Sequence, residues 1–197
     1  MTRGPRGGLP AVALRVGSAL EKHGIRGVLT GGACASLYTG GAYHSVDVDI
    51  ILSGAVSQPE LDAAMASVGF GRRRDRYVHP GLPFFVEFPR GPLAIGADHD
   101  IRPVRYRRGR SRMLVLSATD ACRDRLAAFY HWNDRQSLGN AVRIAARHRV
   151  RMSAIRRWSS AEAALVRFEE FRLELDRLRT RRARPARSRV APRRSTS

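Results

Sequence analysis

Two aspartates one residue apart, Asp47 and Asp49, sit inside the apolar run "SVDVDIIL" (45–52). The run predicts a β-strand, whose two-residue period puts both carboxylates on one face, about 7 Å apart at the Cα positions. Val48 and Ile50 then point the other way, into a core. Two acids held so close repel each other unless a cation lies between them. An all-oxygen pair on a rigid strand suits magnesium or manganese, with magnesium keeping several waters and binding through a few carboxylates plus substrate phosphates. Glu87, the single charge within "FFVEFP", is the expected third carboxylate, because an unpaired acid among Phe, Val and Phe is hard to tolerate. Asp98 and Asp100 in "GADHD" are weaker candidates on a loop.

Upstream, Gly31 and Gly32 follow a short apolar strand (25–30) and open a short helix (31–41). Glycines there let phosphate oxygens approach backbone N–H groups at a helix N-terminus. The stretch is neither a P-loop, lacking G-K-[ST], nor the dinucleotide fingerprint, lacking G-x-G-x-x-G. A phosphate-approach site followed by a carboxylate pair on the next strand is the chemistry of a metal-bound nucleoside triphosphate.

The elements that must position these residues follow from periodicity and punctuation. Residues 10–23 read as an amphipathic helix carrying Val12, Leu14, Val16 and Leu20, ended by Gly24. Residues 57–70 read as a second, with Ser57 or Gln58 before Pro59 and Gly69 as the stop. Residues 73–89 read as two strands around His79-Pro80-Gly81, and 112–117 as another strand. "ATDACRDRLAAFYHW" begins a helix with Thr119 and Asp120 in its first turn. A further helix starts at Asn133, which with Gln136 resembles a capping box. The last spans 159–178, with the stripe Leu165, Phe168, Phe171, Leu175 and Leu178. The expected architecture is a mixed α/β sheet core over 1–117, a helical segment over 118–178, and an Arg-rich tail over 179–197 that lacks an apolar period and reads as disordered.

The charge is lopsided. The chain of 197 residues has a formal net charge of +19. Residues 1–100 hold ten Lys/Arg against nine Asp/Glu, while 101–197 hold twenty-six against eight. Only Lys22 is a lysine, and arginine's planar fork suits phosphate. The back half is therefore expected to meet a polyanion such as RNA or tRNA. Two cysteines, Cys34 and Cys122, are too few for a disulfide framework or a zinc site. The N-terminal apolar run is short and broken by Arg15, which does not read as a signal peptide, and no stretch is long enough to span a membrane. A cytoplasmic location is expected.

The segment "LTGGACASLYTGGAYHSVDVDIIL" resembles the signature of the polymerase-β-type nucleotidyltransferase superfamily: an apolar strand, a Gly-Gly or Gly-Ser pair, a short helix, then Asp-x-Asp on the next strand. Within that superfamily the chain is similar to small bacterial nucleotidyltransferase-like proteins, including AbiEii-type toxins of toxin–antitoxin systems. "RDRLAAFYHWNDRQSL" looks like the basic residue and Arg-Asp pair of their helical part, with Arg125 where lysine is usual and Asp134-Arg135 in "NDR" where "RD" is usual. The resemblance covers roughly residues 25 to 145. It implies a polymerase-β-like core in which Asp47, Asp49 and Glu87 bind two metal ions. It further implies that Gly31, Gly32, Ser45 and Arg125 contact the nucleotide, and that a nucleoside triphosphate donates its NMP group to a hydroxyl on RNA, protein or a small molecule. A cognate antitoxin would be the protein partner.

Other readings come from the same residues. Arg125 and Arg135 also suit surface or structural salt bridges, and Trp132 and Trp158 suit core or inter-helix packing rather than base stacking. His44 reads as a loop histidine, and His131 and His148 lack partners at metal-ligand spacing. A non-catalytic, Arg-rich nucleic-acid-binding protein on a degenerate nucleotidyltransferase fold is the alternative function, although no helix-turn-helix, RRM or zinc-finger pattern is present. An adaptor whose helices pair with a partner protein is a third.

Overall fold

The computed structural model describes residues 8–41 and 45–183. The first helix, α1 (Leu9–Lys22), starts with Pro10 in its first turn and ends at His23 and Gly24, the latter at φ +73°. Strand β1 (Gly27–Leu29) leads into α2 (Gly31–Thr39), which Gly40 closes in the left-handed conformation. Strand β2 (Asp47–Leu52) follows, then α3 (Gln58–Ala66), opened by a reciprocal capping box between Ser57 and Glu60.

Strands β3 (Gly71–Arg73), β4 (Arg76–Val78) and β5 (Phe85–Glu87) come next, then β6 (Val104–Arg108) and β7 (Ser111–Val115). The seven strands form one mixed sheet in the order β3-β4-β5-β2-β1-β7-β6. Pairing is parallel for β1 with β7 and for β2 with β5, and antiparallel elsewhere. The two strands expected around His79-Pro80-Gly81 are β4 and β5. Edge strands β3 and β6 were invisible to the apolar pattern. They are arginine-rich, and main-chain pairing to a neighbour, not side-chain burial, makes them strands.

One face of the sheet is the core. Val48 and Ile50 of β2, Val86 of β5, and Met113 and Val115 of β7 are essentially inaccessible. Helices α1, α2 and α3 pack against the sheet, and on this side a Cβ added to Gly17 of α1 would collide with Met113. The opposite face carries the odd-numbered residues of β2.

Four helices complete the described residues: α4 (Ala118–Trp132), α5 (Arg135–Arg147), α6 (Met152–Ala161) and α7 (Leu165–Ala183). They join the sheet mainly through α2, which touches both α4 and α5. Three features of this region differ from the sequence pattern. First, Asn133 closes α4 in the left-handed conformation, and Asp134 caps α5 by accepting the N–H groups of Gln136 at 2.9 Å and Ser137 at 3.0 Å.

Second, the expected helix 159–178 is two helices. The break at Glu162–Ala164, with Ala163 at φ +54°, contains no glycine or proline. Tertiary contacts hold it open: Glu162 accepts the N–H of Ala97 at 2.9 Å and faces His131 Nε2 at 3.2 Å. Third, α7 continues past Leu178 to Ala183. Thr180 donates to Asp176 O at 2.9 Å, and Arg179 reaches Ala145 O on α5. The rest of the expected tail lies outside the described residues. No helix among the described residues is long and apolar enough to cross a membrane.

Candidate active site

The strand β2 is an alternating string whose buried members, Val48 and Ile50, orient Asp47 and Asp49 onto the non-core face. The parallel register with β5 places Glu87 directly beside Asp49, and Phe85 beside Asp47. Residues paired across a sheet share a face, so three carboxylates lie together on adjacent strands. Each is only partly accessible to solvent.

Asp49 is closely confined. Its carboxylate lies against the backbone of Gly31: a Cβ on Gly31 would stand 2.3 Å from Asp49 Oδ2, and Gly31 itself sits at φ +65°. The two segments are tied by a hydrogen bond from Thr30 N–H to Asp49 O at 3.0 Å. Burial pushes the Asp49 carboxyl up to about 6, and the charges of Asp47 and Glu87 push the same way; Arg125 opposes them and Asp124 adds to them. The site thus concentrates negative charge beside the first turn of α2, where Gly31, Gly32 and Ala33 have no intrahelical acceptor for their N–H groups.

The remaining expected residues divide sharply. Ser45 donates a short hydrogen bond to Asp47 Oδ1, so its hydroxyl orients a carboxylate. Arg125 is held by Asp124, with contacts of 2.9 Å at Nε and 2.8 Å at Nη2, and donates from Nη1 to Ser137 at 3.3 Å. It contributes positive potential at Asp49 from that position. Asp134 is consumed as the α5 cap, and Arg135 pairs with Glu170 and lies over Phe129.

Asp98 belongs to a different network. It pairs with Arg123, which is buried, also binds Asp120 at 3.0 Å, and lies over Trp158. Asp100 pairs with exposed Arg102 at 3.5 Å. Glu87, not Asp98 or Asp100, is therefore the acid that joins Asp47 and Asp49. Trp158 stacks on Tyr130 within the core, whereas Trp132 is 76% exposed and packs between no helices. His148 Nε2 meets Tyr38 O at 2.7 Å, and His44 lies outside the described residues.

Sequence reasoning missed Arg73 and Arg76. Arg76 is registered directly opposite Glu87, and Arg73 directly opposite Arg76, so both share the carboxylate face. The signal was the two-residue hairpin turn Arg74-Asp75, with Arg74 at φ +58°, inside "GRRRDRYV".

No family model, curated protein or solved structure matches this chain. The fold is a mixed α/β arrangement of a seven-stranded sheet with seven helices among the described residues.

Proposed function

We propose that the chain is a metal-dependent nucleotidyltransferase of the polymerase-β type, moving an NMP group from a nucleoside triphosphate to an acceptor hydroxyl. The observation that carries this reading is the placement of Asp49: next to Glu87 across the strand pair, two residues from Asp47, and pressed against the backbone of Gly31. Among the described residues, no three His, Cys, Asp or Glu side chains are arranged so that together they could hold a metal ion. A magnesium-type ion does not require three, since it takes one or two carboxylates and completes its octahedron with water and phosphate oxygens. Asp49, whose proton affinity is raised first by burial and then by the charges of Asp47 and Glu87, fits the role of a cation ligand.

Asp47 and Asp49 would hold the metal, with Glu87 as the third acid. Bound there, magnesium would draw the triphosphate and acceptor together and offset the charge of the transferring phosphoryl group. The chain's own groups do the rest. The N–H groups at the start of α2 receive phosphate oxygens, and the bare Gly31 makes room for the Asp49 carboxylate beside them. Ser45 fixes the rotamer of Asp47. The acceptor oxygen bonds to the α-phosphorus, the bond to the bridging oxygen breaks, and pyrophosphate leaves. The hydroxyl proton passes to a carboxylate of the cluster and from there to solvent.

The test is incubation with each labelled triphosphate, magnesium, and total RNA or protein. Label transferred by the parent and lost in Asp49→Asn supports the reading. No transfer to any acceptor, with equal stabilisation of parent and Asp49→Asn by magnesium plus triphosphate, would leave a basic nucleic-acid-binding protein instead.

A further inference from the structure

The face that carries the three acids also carries a basic pair. Reading across the sheet, β3, β4, β5 and β2 contribute Arg73, Arg76, Glu87 and Asp49 in one registered row. Neighbouring strands are about 4.8 Å apart, so Arg76 lies one strand from Glu87 and about 10 Å from Asp49 at the backbone. Charge on the edge strand β3 alone would be ordinary protection against edge pairing. Arg76 is different, because β4 is an interior strand.

Two features set this pair apart from the other arginines of the hairpin. Arg72 points to the helix side of the sheet and pairs with Asp62 at 3.4 Å. Arg73 and Arg76 are directly opposite each other, an arrangement that disfavours the strand pair unless an anion joins them. Although Arg76 faces Glu87, it forms no ion pair with it; its guanidinium lies over the Phe85 ring, 4.7 Å from the centroid. Stacked in that way, a guanidinium keeps its in-plane N–H donors free for a phosphate fork.

The geometry also separates two phosphate sites. The start of α2 approaches Asp49 from the β1 side, and Arg73 and Arg76 approach from the β5 side. The acids lie between. We propose that Arg73 and Arg76 bind a phosphodiester of the acceptor, so the hydroxyl that receives the nucleotidyl group belongs to a single nucleic-acid strand. This rests on the nucleotidyl-transfer reading of the acids, with the triphosphate on the α2 side.

The test uses the full chain and two probes: a fluorescent eight-nucleotide single-stranded RNA titrated across salt, and magnesium with triphosphate followed by melting. The double variant R73Q/R76Q should fold as well as the parent, since like-charge opposition is relieved. It should raise the RNA Kd about tenfold and reduce the salt slope by about 1.4, as two contacts on a single strand require. Stabilisation by magnesium and triphosphate should be unchanged. R156Q, which removes one exposed charge from α6, serves as the control for general electrostatics.

Loss of triphosphate stabilisation in R73Q/R76Q with RNA binding intact would assign the arginines to the donor and overturn the proposal. A change per charge no larger than that of R156Q, or no RNA binding by the parent, would overturn it too. The parent reading fails separately: if Asp49→Asn leaves the metal-dependent triphosphate stabilisation intact, the acids are not the transfer centre, whatever the RNA titration gives.

Discussion

The carboxylate of Asp49 occupies the space that any side chain on Gly31 would need. The two residues come from different elements and meet because β1 and β2 are antiparallel neighbours with Leu29 opposite Ile50. Gly31 also sits at φ +65°, so an L side chain there is strained twice. The left-handed backbone costs roughly 1–2 kcal/mol and the displaced neighbour a further 1–3 kcal/mol or so. Gly31→Ala should therefore lower the melting temperature and abolish transfer. Unfolding curves and the labelled-triphosphate assay measure both; an unaltered melt would show that the carboxylate swings aside freely.

The raised Asp49 carboxyl makes a pH prediction whose sign is opposite to that of a salt-bridged acid. Its folded value is about 6, above the ordinary carboxyl value of 3.8, so the folded state binds the proton more tightly. The stabilising contribution is complete below about 4 and is lost as pH rises through 6. Asp49→Asn removes the penalty. In the absence of metal the variant should be about 1–2 kcal/mol more stable than the parent at pH 8, allowing for solvent screening of a partly exposed group, and no more stable at pH 4. Denaturant melts at the two pH values check this, and a variant that is less stable at pH 8 would refute the charge argument.

Glu87 and Asp98 should behave as opposites. Glu87→Gln is expected to stop transfer while leaving the melt unchanged or slightly higher. Asp98→Asn should keep transfer but weaken the fold, because it takes a partner from Arg123, which is only 6% exposed. Arg123→Ala should be more severe, on the order of 3–5 kcal/mol, since it takes the shared cation from both Asp98 and the buried Asp120. Loss of transfer in Asp98→Asn without loss of stability would return Asp98 to the list of metal ligands.

Cutting the chain after Ala183 tests the arginine-rich end. Residues 184–197 contain no apolar period that could bury surface, so the melting temperature should not move. RNA affinity should fall and its salt dependence should flatten. Cutting after Arg179 should cost stability as well as affinity, because it removes the last turn of α7, in which Thr180 donates to Asp176 O at 2.9 Å. Equal melts for both truncations would show that the last turn of α7 adds nothing to the fold.

Local chemistry decided the elements that local chemistry can specify. Pro10, Ser57 with Glu60, and Ser117 mark helix starts through their own hydrogen bonds or fixed φ, and the structure begins α1, α3 and α4 at those positions. Where two local signals competed, the pattern misled. Asn133 and Asp134 are both good caps, and only the left-handed turn that ends α4 on Asn133 leaves Asp134 as the residue that starts α5. The run through Glu162 reads as continuous helix because its break is imposed by Ala97 and His131, which lie far away in the chain.

The sequence by itself determined that Asp47 and Asp49 share a face, because strand alternation is a property of the backbone and needs no partner. It also determined that Val48 and Ile50 turn inward and that positive charge gathers in the second half of the chain. Only the tertiary structure decided that β5 lies parallel to β2 with Glu87 beside Asp49. Only there do Arg73 and Arg76 continue the row, and only there is Gly31 the residue that Asp49 touches. Those relationships join residues tens of positions apart. They are selected by the burial of a whole sheet face against α1, α2 and α3, an energy spread over many contacts, and no short window of sequence contains it.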